Sequence, residues 1–241
     1  VTSAVIDSEK LRAGVANWKV SLDETALSRF DAYASLLVEW NQKINLTAIK
    51  DPDGIVIKHF IDSLALLSFV SPKENAKVID VGTGAGFPGV ALLIARPDLR
   101  LTLLDSTKKK LFFLEHVLSS LGLQAEILHM RAEEAGQNPA YREQFDLVTA
   151  RAVSNLRDLS EFCLPFASPG GLFTPLKSAE IDEELHQAQA AISLLGGQLE
   201  RLERYEIEAG GRRSLPVIRK ISHTSSKYPR PSAQIAKKPL V

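Results

Sequence analysis

Four glycines fall within eight positions in the stretch Lys77-Val78-Ile79-Asp80-Val81-Gly82-Thr83-Gly84-Ala85-Gly86-Phe87-Pro88-Gly89. Before them, Val78 to Val81 is a short, mostly apolar run that predicts a buried strand. After them, Val90-Ala91-Leu92-Leu93-Ile94-Ala95 predicts a buried helix. Strand, glycine turn and helix form the opening unit of a nucleotide-binding α/β domain. Glycines there let backbone amides approach a ligand with no Cβ in the way. Amides facing one concavity favour an anionic group, a phosphate or a carboxylate.

Two cofactors fit the stretch. Gly84-x-Gly86-x-x-Gly89 matches the dinucleotide fingerprint, with Asp105 following about twenty residues later. Asp80-x-Gly82-x-Gly84-x-Gly86 fits equally the acid-then-glycine opening of S-adenosylmethionine-dependent methyltransferases. In that case the loop meets a methionine carboxylate and a sulfonium instead of a diphosphate. The rest of the chain has to decide between them.

Upstream lies a helical prefix. Residues 4–17 form a weak helical stretch, and Ser21-Leu22-Asp23-Glu24 has the form of a capping box. Leu27, Phe30, Tyr33, Leu37 and Trp40 then recur at helical spacing, predicting a helix over 23–41. Asp51-Pro52 starts another, carrying Ile57, Phe60, Ile61 and Leu64 and stopping at Ser71-Pro72. Downstream, strands are expected over 99–104, 125–130, 145–150 and 171–177, with helices between, including one over 180–194. Two late strands, near 199–207 and 216–221, read as a closing hairpin. The expected fold class is α/β: a mostly parallel, doubly wound Rossmann-like sheet (76–241) behind a helical extension (1–75).

Composition narrows the class. Apolar residues make up 45% and charged residues 24% of the 241, the balance of a globular protein. Cys163 is the one cysteine, so no disulfide can form within the chain, and no Cys/His set has zinc spacing; no metal is expected. No apolar run reaches the length of a membrane span, and Val1-Thr2-Ser3 lacks the order of a secretory signal, so a cytoplasmic protein is the expectation; a monomer is expected, though nothing in the sequence sets the oligomeric state. Formal net charge is zero, yet residues 209–241 hold eight basic and no acidic side chains, so 1–208 carry −8. Arg212, Arg213, Arg230, Lys237 and Lys238 in that tail suit a polyanion.

Candidate ligand groups cluster at predicted strand ends. Asp105 closes the second strand, where a carboxylate can accept both ribose hydroxyls of an adenosine. Ser106 or Thr107 caps the next helix, whose first turn holds Lys108, Lys109 and Lys110, the unfavourable end of the macrodipole for cations. Ala132 and Glu133 follow the third strand, Arg151 the fourth and Lys177 the fifth. His59 and Asp62, one helical turn apart, suit a hydrogen bond between helix and domain. The Asn/Asp-Pro-Pro-aromatic loop used to methylate exocyclic amines is missing, since Thr149-Ala150-Arg151-Ala152-Val153 stands there. Cys163 lies in an apolar helix without the setting of a nucleophile, and no Gly-x-Ser-x-Gly elbow occurs.

Several separate motifs then converge. Trp40-Asn41 with Asn45-Leu46-Thr47-Ala48-Ile49, His59-Phe60-x-Asp62-Ser63-Leu64 and the glycine stretch come first. Leu104-Asp105-Ser106 with Lys109-Lys110-x-x-Phe113-Leu114, Arg131-Ala132-Glu133-Glu134, Ala150-Arg151-Ala152-Val153 and Tyr228-Pro229-Arg230 follow in order. From about Ala26 to Leu240 the chain resembles the bacterial small-subunit (16S) ribosomal RNA guanine-N7 methyltransferases, the glucose-inhibited division protein B family. The resemblance implies S-adenosyl-L-methionine as cofactor and a guanine of small-subunit ribosomal RNA as target, with no DNA or membrane partner. It implies cofactor contacts at Gly82, Phe87, Asp105, Ser106, Thr107, Ala132, Glu133 and Arg151; the glycine loop adds Gly84 and Gly86, and charge and strand position point to RNA contacts at Lys177 and the tail's Arg212, Arg213, Arg230, Lys237 and Lys238. Pro175, inside the fifth strand, departs from the family pattern. Guanine N7 offers a free lone pair, so alignment suffices and no catalytic base is assigned. A nicotinamide oxidoreductase would need a second substrate domain, and a non-catalytic RNA-binding module leaves the glycine loop unexplained.

Overall fold

The computed structural model describes residues Val5–Leu240; Val1-Thr2-Ser3, on which the secretory reading turns, lies outside the described residues. The prefix begins with α1 (Ser8–Ala16) and α2 (Glu24–Asn41). The cap of α2 is Asp23, whose carboxylate accepts from Ala26 N at 2.7 Å, so Ser21 of the expected capping box stands outside the helix. A second rod runs from α3 (Pro52–Ile55) through a π-helical stretch (Val56–Ile61) into α4 (Asp62–Phe69). Asp51 caps it, accepting from Gly54 N at 2.6 Å.

Seven strands form one sheet: β1 (Lys77–Val81), β2 (Arg100–Asp105), β3 (Glu126–His129), β4 (Phe145–Arg151), β5 (Ala167–Ser178), β6 (Gly197–Ile207) and β7 (Gly211–Lys220). Their order is β3-β2-β1-β4-β5-β7-β6. The first five pair in parallel, while β7 runs antiparallel between β5 and β6. The expected closing hairpin is present, with β7 starting five residues earlier than its apolar part suggested. Helices α5 (Gly89–Ala95), α6 (Lys108–Leu121), α7 (Ala132–Gln137), α8 (Leu156–Cys163), α9 (Asp182–Leu194) and α10 (Ser232–Lys237) complete the fold.

The period of two along β1 divides the core. Val78 joins Phe30, Leu37, Phe60, Leu64, Val90 and Leu114 in a core shared by the prefix, α5 and α6. Ile79 and Val81 face the other side, with Leu156, Leu159, Phe166 and Ile192 under α8 and α9. Both faces of the parallel strands are therefore covered, as a βαβ sheet requires.

Pro175 sits inside β5, paired with Ala150 on β4. The β5–β7 register runs from Phe173↔Ile218 to Lys177↔Ser214, which sets Pro175 opposite Pro216. Each proline lacks the N–H its partner would accept. The β5–β7 pairing is interrupted there and resumes at Lys177↔Ser214, so Lys177 keeps its place at the strand's end.

The basic tail is much less free than its composition suggests. Lys220 is fully buried, with Nζ donating to Leu164 O at 2.8 Å, Ala167 O at 3.2 Å and Thr224 Oγ1 at 2.7 Å, and lying 3.1 Å from Glu143. Burial pulls the Lys220 pKa down, and Glu143 partly restores it. Arg219 pairs with Glu200, and Arg142 donates to Thr224 O, Ser225 O and Tyr228 O, binding residues 221–229 against the body. Among the described residues no helix is long and apolar enough to cross a membrane. Lys220→Ala removes one partner of a buried charged cluster, so urea unfolding is expected to show a loss of about 3 kcal/mol. A loss within experimental error would make Lys220 a surface charge in all but position.

Candidate active site

The loop from Gly82 to Pro88 joins β1 to α5 at the C-terminal edge of the sheet, where open α/β folds hold ligands. Its amides do not form the expected anion nest. Gly82 N and Thr83 N both donate to Leu104 O, Gly86 N and Phe87 N both to Thr83 O, and Gly84 N to Asp105 Oδ2 at 2.9 Å. With those N–H groups turned inward, the loop contributes shape, and a diphosphate loses its reason to sit there.

The glycines have separate duties. Gly82 (φ +69°) borders a cavity of about 340 Å³, and a Cβ there would meet Val153 Cγ2 at 2.8 Å. Gly84 (φ +60°) is the residue pinned to Asp105. Gly86 (φ +101°) is a packing glycine, since a Cβ would strike Tyr33 Oη at 2.5 Å. Valine at position 82 would therefore strain the backbone as well as fill the cavity.

Besides Gly82, the cavity is lined by Asp105, Ser106, Thr107, Lys110, Ala132 and Glu133. Sequence reading placed all of these but Lys110 at the cofactor. It missed Met130, Val153, Phe162 and Ser232, which close the remaining sides. Lys110 carried a signal, a lysine at the wrong end of a helix. Ser232 carried none. Asp105 is buried and accepts from Thr107 N at 2.8 Å as well as from Gly84 N, so it fixes loop and helix start together. Gly84, Gly86, Phe87 and Arg151 do not line this cavity.

Beneath the loop, Asp80 Oδ2 accepts from Thr83 Oγ1 at 2.7 Å and from Gly89 N at 2.9 Å, while its buried Oδ1 has no partner. Burial pushes the Asp80 carboxyl up to about 6, against the two hydrogen bonds.

Arg151 turns to the prefix instead of the cavity. It donates to Lys58 O at 3.0 Å, to Asp62 Oδ2 at 3.3 Å and to His59 Nδ1 at 2.9 Å, and lies 5.0 Å over the Phe87 ring. An arginine cannot accept, so His59 Nδ1 is bare; Nε2 carries the hydrogen and donates to Thr47 Oγ1 at 2.8 Å. Burial, then the Arg151 charge, pulls the His59 pKa down to about 3, and the ring stays neutral. Its plane stacks on Phe87 at 4.4 Å and 15°. Phe87 thus belongs to this second cluster and not to the cavity.

The basic residues divide. Arg213 Nε donates to Asp62 Oδ1 at 3.0 Å, and Lys177 Nζ lies 2.5 Å from Glu184 and donates to Ser154 O at 2.9 Å. Arg230 grips the buried Glu161 with three donors, the backbone N at 2.9 Å, Nε at 2.8 Å and Nη2 at 2.7 Å. The expectation that Arg230 faces RNA gives way to that of an internal clasp, because its guanidinium and Glu161 neutralise each other where water is excluded. Arg212, Lys237 and Lys238 are exposed.

The fit to the expected cofactor rests on the donor set. Asp105 and Glu133 are acceptors set on one cavity beside a glycine whose Cβ is forbidden, suited to a nucleoside bearing hydroxyl and amine donors. Sheet order, glycine turn and acid at the end of β2 together define the Rossmann-like fold of S-adenosylmethionine-dependent methyltransferases. A SAM-dependent O-methyltransferase from Thermotoga maritima superposes with a TM-score of 0.55 at 15% identity, over 78% of this chain and 73% of its own. TrmN from Thermus thermophilus superposes with a TM-score of 0.53 at 20% identity, over 66% of this chain and 48% of its own. In sequence, the chain is 44% identical to the ribosomal RNA small subunit methyltransferase G of Clostridium novyi, over 96% of each. It is 46% identical to that of Brevibacillus brevis, over 92% and 94%. The family model for rRNA small subunit methyltransferase G (GidB) matches residues 26–214. The chain belongs to that family.

The two perturbed groups under the loop oppose each other in pH. Unfolded His59 takes up a proton below its ordinary 6.5 while the folded ring resists to about 3, so its contribution is lost as pH falls through that window. Folded Asp80 keeps its proton to about 6 against an ordinary 3.8, so its contribution is present in acid and lost as pH rises through 6. Asp80→Asn leaves His59 unopposed. Urea unfolding from pH 6 down to pH 4 is expected to show the variant losing ground to the wild type by up to about 1.4 kcal/mol per pH unit. Parallel curves would mean Asp80 titrates normally.

Proposed function

We propose that this chain transfers the methyl group of S-adenosylmethionine to N7 of a guanine in small-subunit ribosomal RNA, acting as a soluble monomer in the cytoplasm. The supporting observation is the engagement of the titratable side chains where the sheet edge meets the prefix. His59 is held neutral with both nitrogens bonded, and Asp62 is shared by Arg151 and Arg213. Lys177 is paired with Glu184. A target that first had to lose a proton would find no free base among these groups. Guanine N7 needs none, because its lone pair lies in the ring plane.

When bound, the cofactor supplies an electrophilic methyl on a sulfonium. The chain's own work is positioning. Asp105, held by Gly84 N and Thr107 N, accepts the ribose hydroxyls; Ser106, Thr107, Ala132 and Glu133 frame the purine. Gly82 leaves room for the methionine arm, and Gly84 and Gly86 set the loop beneath it. Phe87 and Arg151 act from the neighbouring cluster, which ties the extension (1–75) to the methyltransferase body (76–241) and holds the glycine loop in place from outside the cavity. Arg212, Lys237 and Lys238 are the exposed groups for RNA phosphates, with Arg213 and Lys177 contributing charge from within their pairs.

The decisive test uses small subunits or their RNA carrying 7-deazaguanine at the methylated position, compared with guanine. Methyl incorporation is expected to vanish with the carbon analogue while binding persists. Incorporation at an unchanged rate would move the reaction to another atom. Asp105→Ala removes charged acceptors, so calorimetry is expected to show a roughly 10- to 100-fold loss of S-adenosylmethionine affinity. Because Asp105 also pins Gly84, some loss of thermal stability accompanies it; normal affinity would leave Asp105 as a loop clamp only.

A further inference from the structure

The cofactor cavity has a wall that the family match does not include. That match ends at residue 214, whereas Ser232 lines the cavity beside Ala132, Glu133 and Phe162. The chain leaves β7 at Lys220, crosses α7 and α8, and returns to the C-terminal edge of the sheet at the start of α10. We infer that this C-terminal strap, residues 228–240, is part of the cofactor site: Ser232 is a positioning residue for the purine end, and the Arg230–Glu161 clasp holds it there. The inference rests on reading the cavity as the cofactor's.

The strap is built as a fixed wall. Glu161 is 1% exposed, and a carboxylate so buried is held by the three Arg230 donors described above. The remaining Arg230 arm, Nη1, donates to Lys238 O at 2.9 Å, so one guanidinium fastens both ends of the segment from 230 to 238. Tyr228, Ile235 and Leu240 are buried, and Tyr228 and Leu240 join the core that holds Leu156 and Leu159 of α8. Pro229 packs so closely on α7 that a Cβ at Gly136 would meet its ring at 2.8 Å. Between these anchors, Ser232 N faces Glu133 Oε1 at 3.4 Å. The backbone dipole of the strap therefore points at the carboxylate that frames the purine, and restricts its rotamer from the open side. Phe162, next to Glu161 on α8, joins the same wall, so the clasp on Glu161 and the cavity share one helical turn.

This arrangement gives a cluster of basic residues a reason that polyanion binding does not. Arg230 supplies the counter-charge to the buried Glu161 carboxyl group, and together they fix where Ser232 stands. Loosening the strap opens the cavity on its purine side while the glycine loop and Asp105 remain in place. The consequence is specific: cofactor affinity changes, and the chemical step at saturating cofactor does not.

The experiment uses the full chain. Hydrogen exchange is followed with and without S-adenosylmethionine, and Kd, KM and kcat are measured for wild type, Ser232→Trp and Arg230→Lys. Amides of 230–238 are expected to exchange about fivefold more slowly with cofactor bound. Ser232→Trp is expected to raise both the cofactor Kd and its KM about tenfold, with kcat at saturation within about twofold and the thermal midpoint unchanged. Arg230→Lys keeps the charge but loses the fork, and an intermediate rise in KM is expected. An unaltered Kd in Ser232→Trp, or unchanged exchange in 230–238 when cofactor binds, overturns the inference. A wild-type chain that binds no S-adenosylmethionine overturns instead the reading of the cavity, and this inference with it.

Discussion

Arg151 leaves the end of β4, crosses to the helical prefix and meets the Lys58 carbonyl, Asp62, His59 and the Phe87 face with one guanidinium. Each partner depends on a different local feature. The π-helical turn over Val56–Ile61 departs from i−4 bonding, and Lys58 O accepts from Arg151 within it. His59 is oriented from behind by Thr47, whose segment is held by Asn41 accepting from Leu46 N and Thr47 N. Phe87 comes from the glycine loop, and Tyr33 from α2 stacks on it at 5.2 Å and 26°. A planar fork can satisfy such a set at once, which an ammonium cannot. Prefix, loop and sheet edge are consequently one rigid body around the site.

The glycine loop illustrates how a motif can be right and its mechanism different. Its spacing selects a nucleotide-binding α/β unit, but the amides that an anion would need are bonded to Leu104, Thr83 and Asp105. The loop is stabilised from inside, by Asp80 below and Asp105 beside it, and offers the ligand a surface without side chains. An acid at the end of β2 thus has two tasks, one toward the loop and one toward the cavity. The unpartnered Oδ1 of Asp80 is the local cost of that design, tolerated where a carboxyl can take up a proton near pH 6.

Strands, helices and the cavity's inner residues were legible because they follow from periodicity and from position at strand ends. Asp105 ends β2, Ser106 and Thr107 follow it directly, and Ala132 and Glu133 lie three and four residues past β3, where the parallel sheet brings them together. Partnership was not legible. Nothing near Arg230 in the sequence names Glu161, 69 positions away, nor does Lys220 announce Glu143 and three carbonyl and hydroxyl acceptors. A run of eight cations without an anion reads as one electrostatic object only while their partners are unknown. Folding divides it into internal pairs and a remainder at Arg212, Lys227, Lys237 and Lys238. Pro175 was similarly opaque, since the strand it faces, β7, pairs with β5 only in three dimensions and leaves the ladder open between Phe173 and Lys177.

The charge arithmetic of the second cluster bears on the proposed reaction. Two guanidinium groups, Arg151 and Arg213, share one carboxylate, Asp62, and the adjacent His59 is neutral, so the cluster carries one net positive charge. Methyl transfer from a sulfonium to guanine N7 moves a positive charge from sulfur to base and creates none. A site for such a transfer gains little from a new counter-ion and more from a fixed electrostatic frame, because reorganisation, not neutralisation, would dominate the barrier. His59 held neutral serves that end: a protonated ring there would raise the cluster's net charge from one to two. Neutral histidine and paired arginines are in this sense one device, with Asp62 setting how much positive charge the cluster carries.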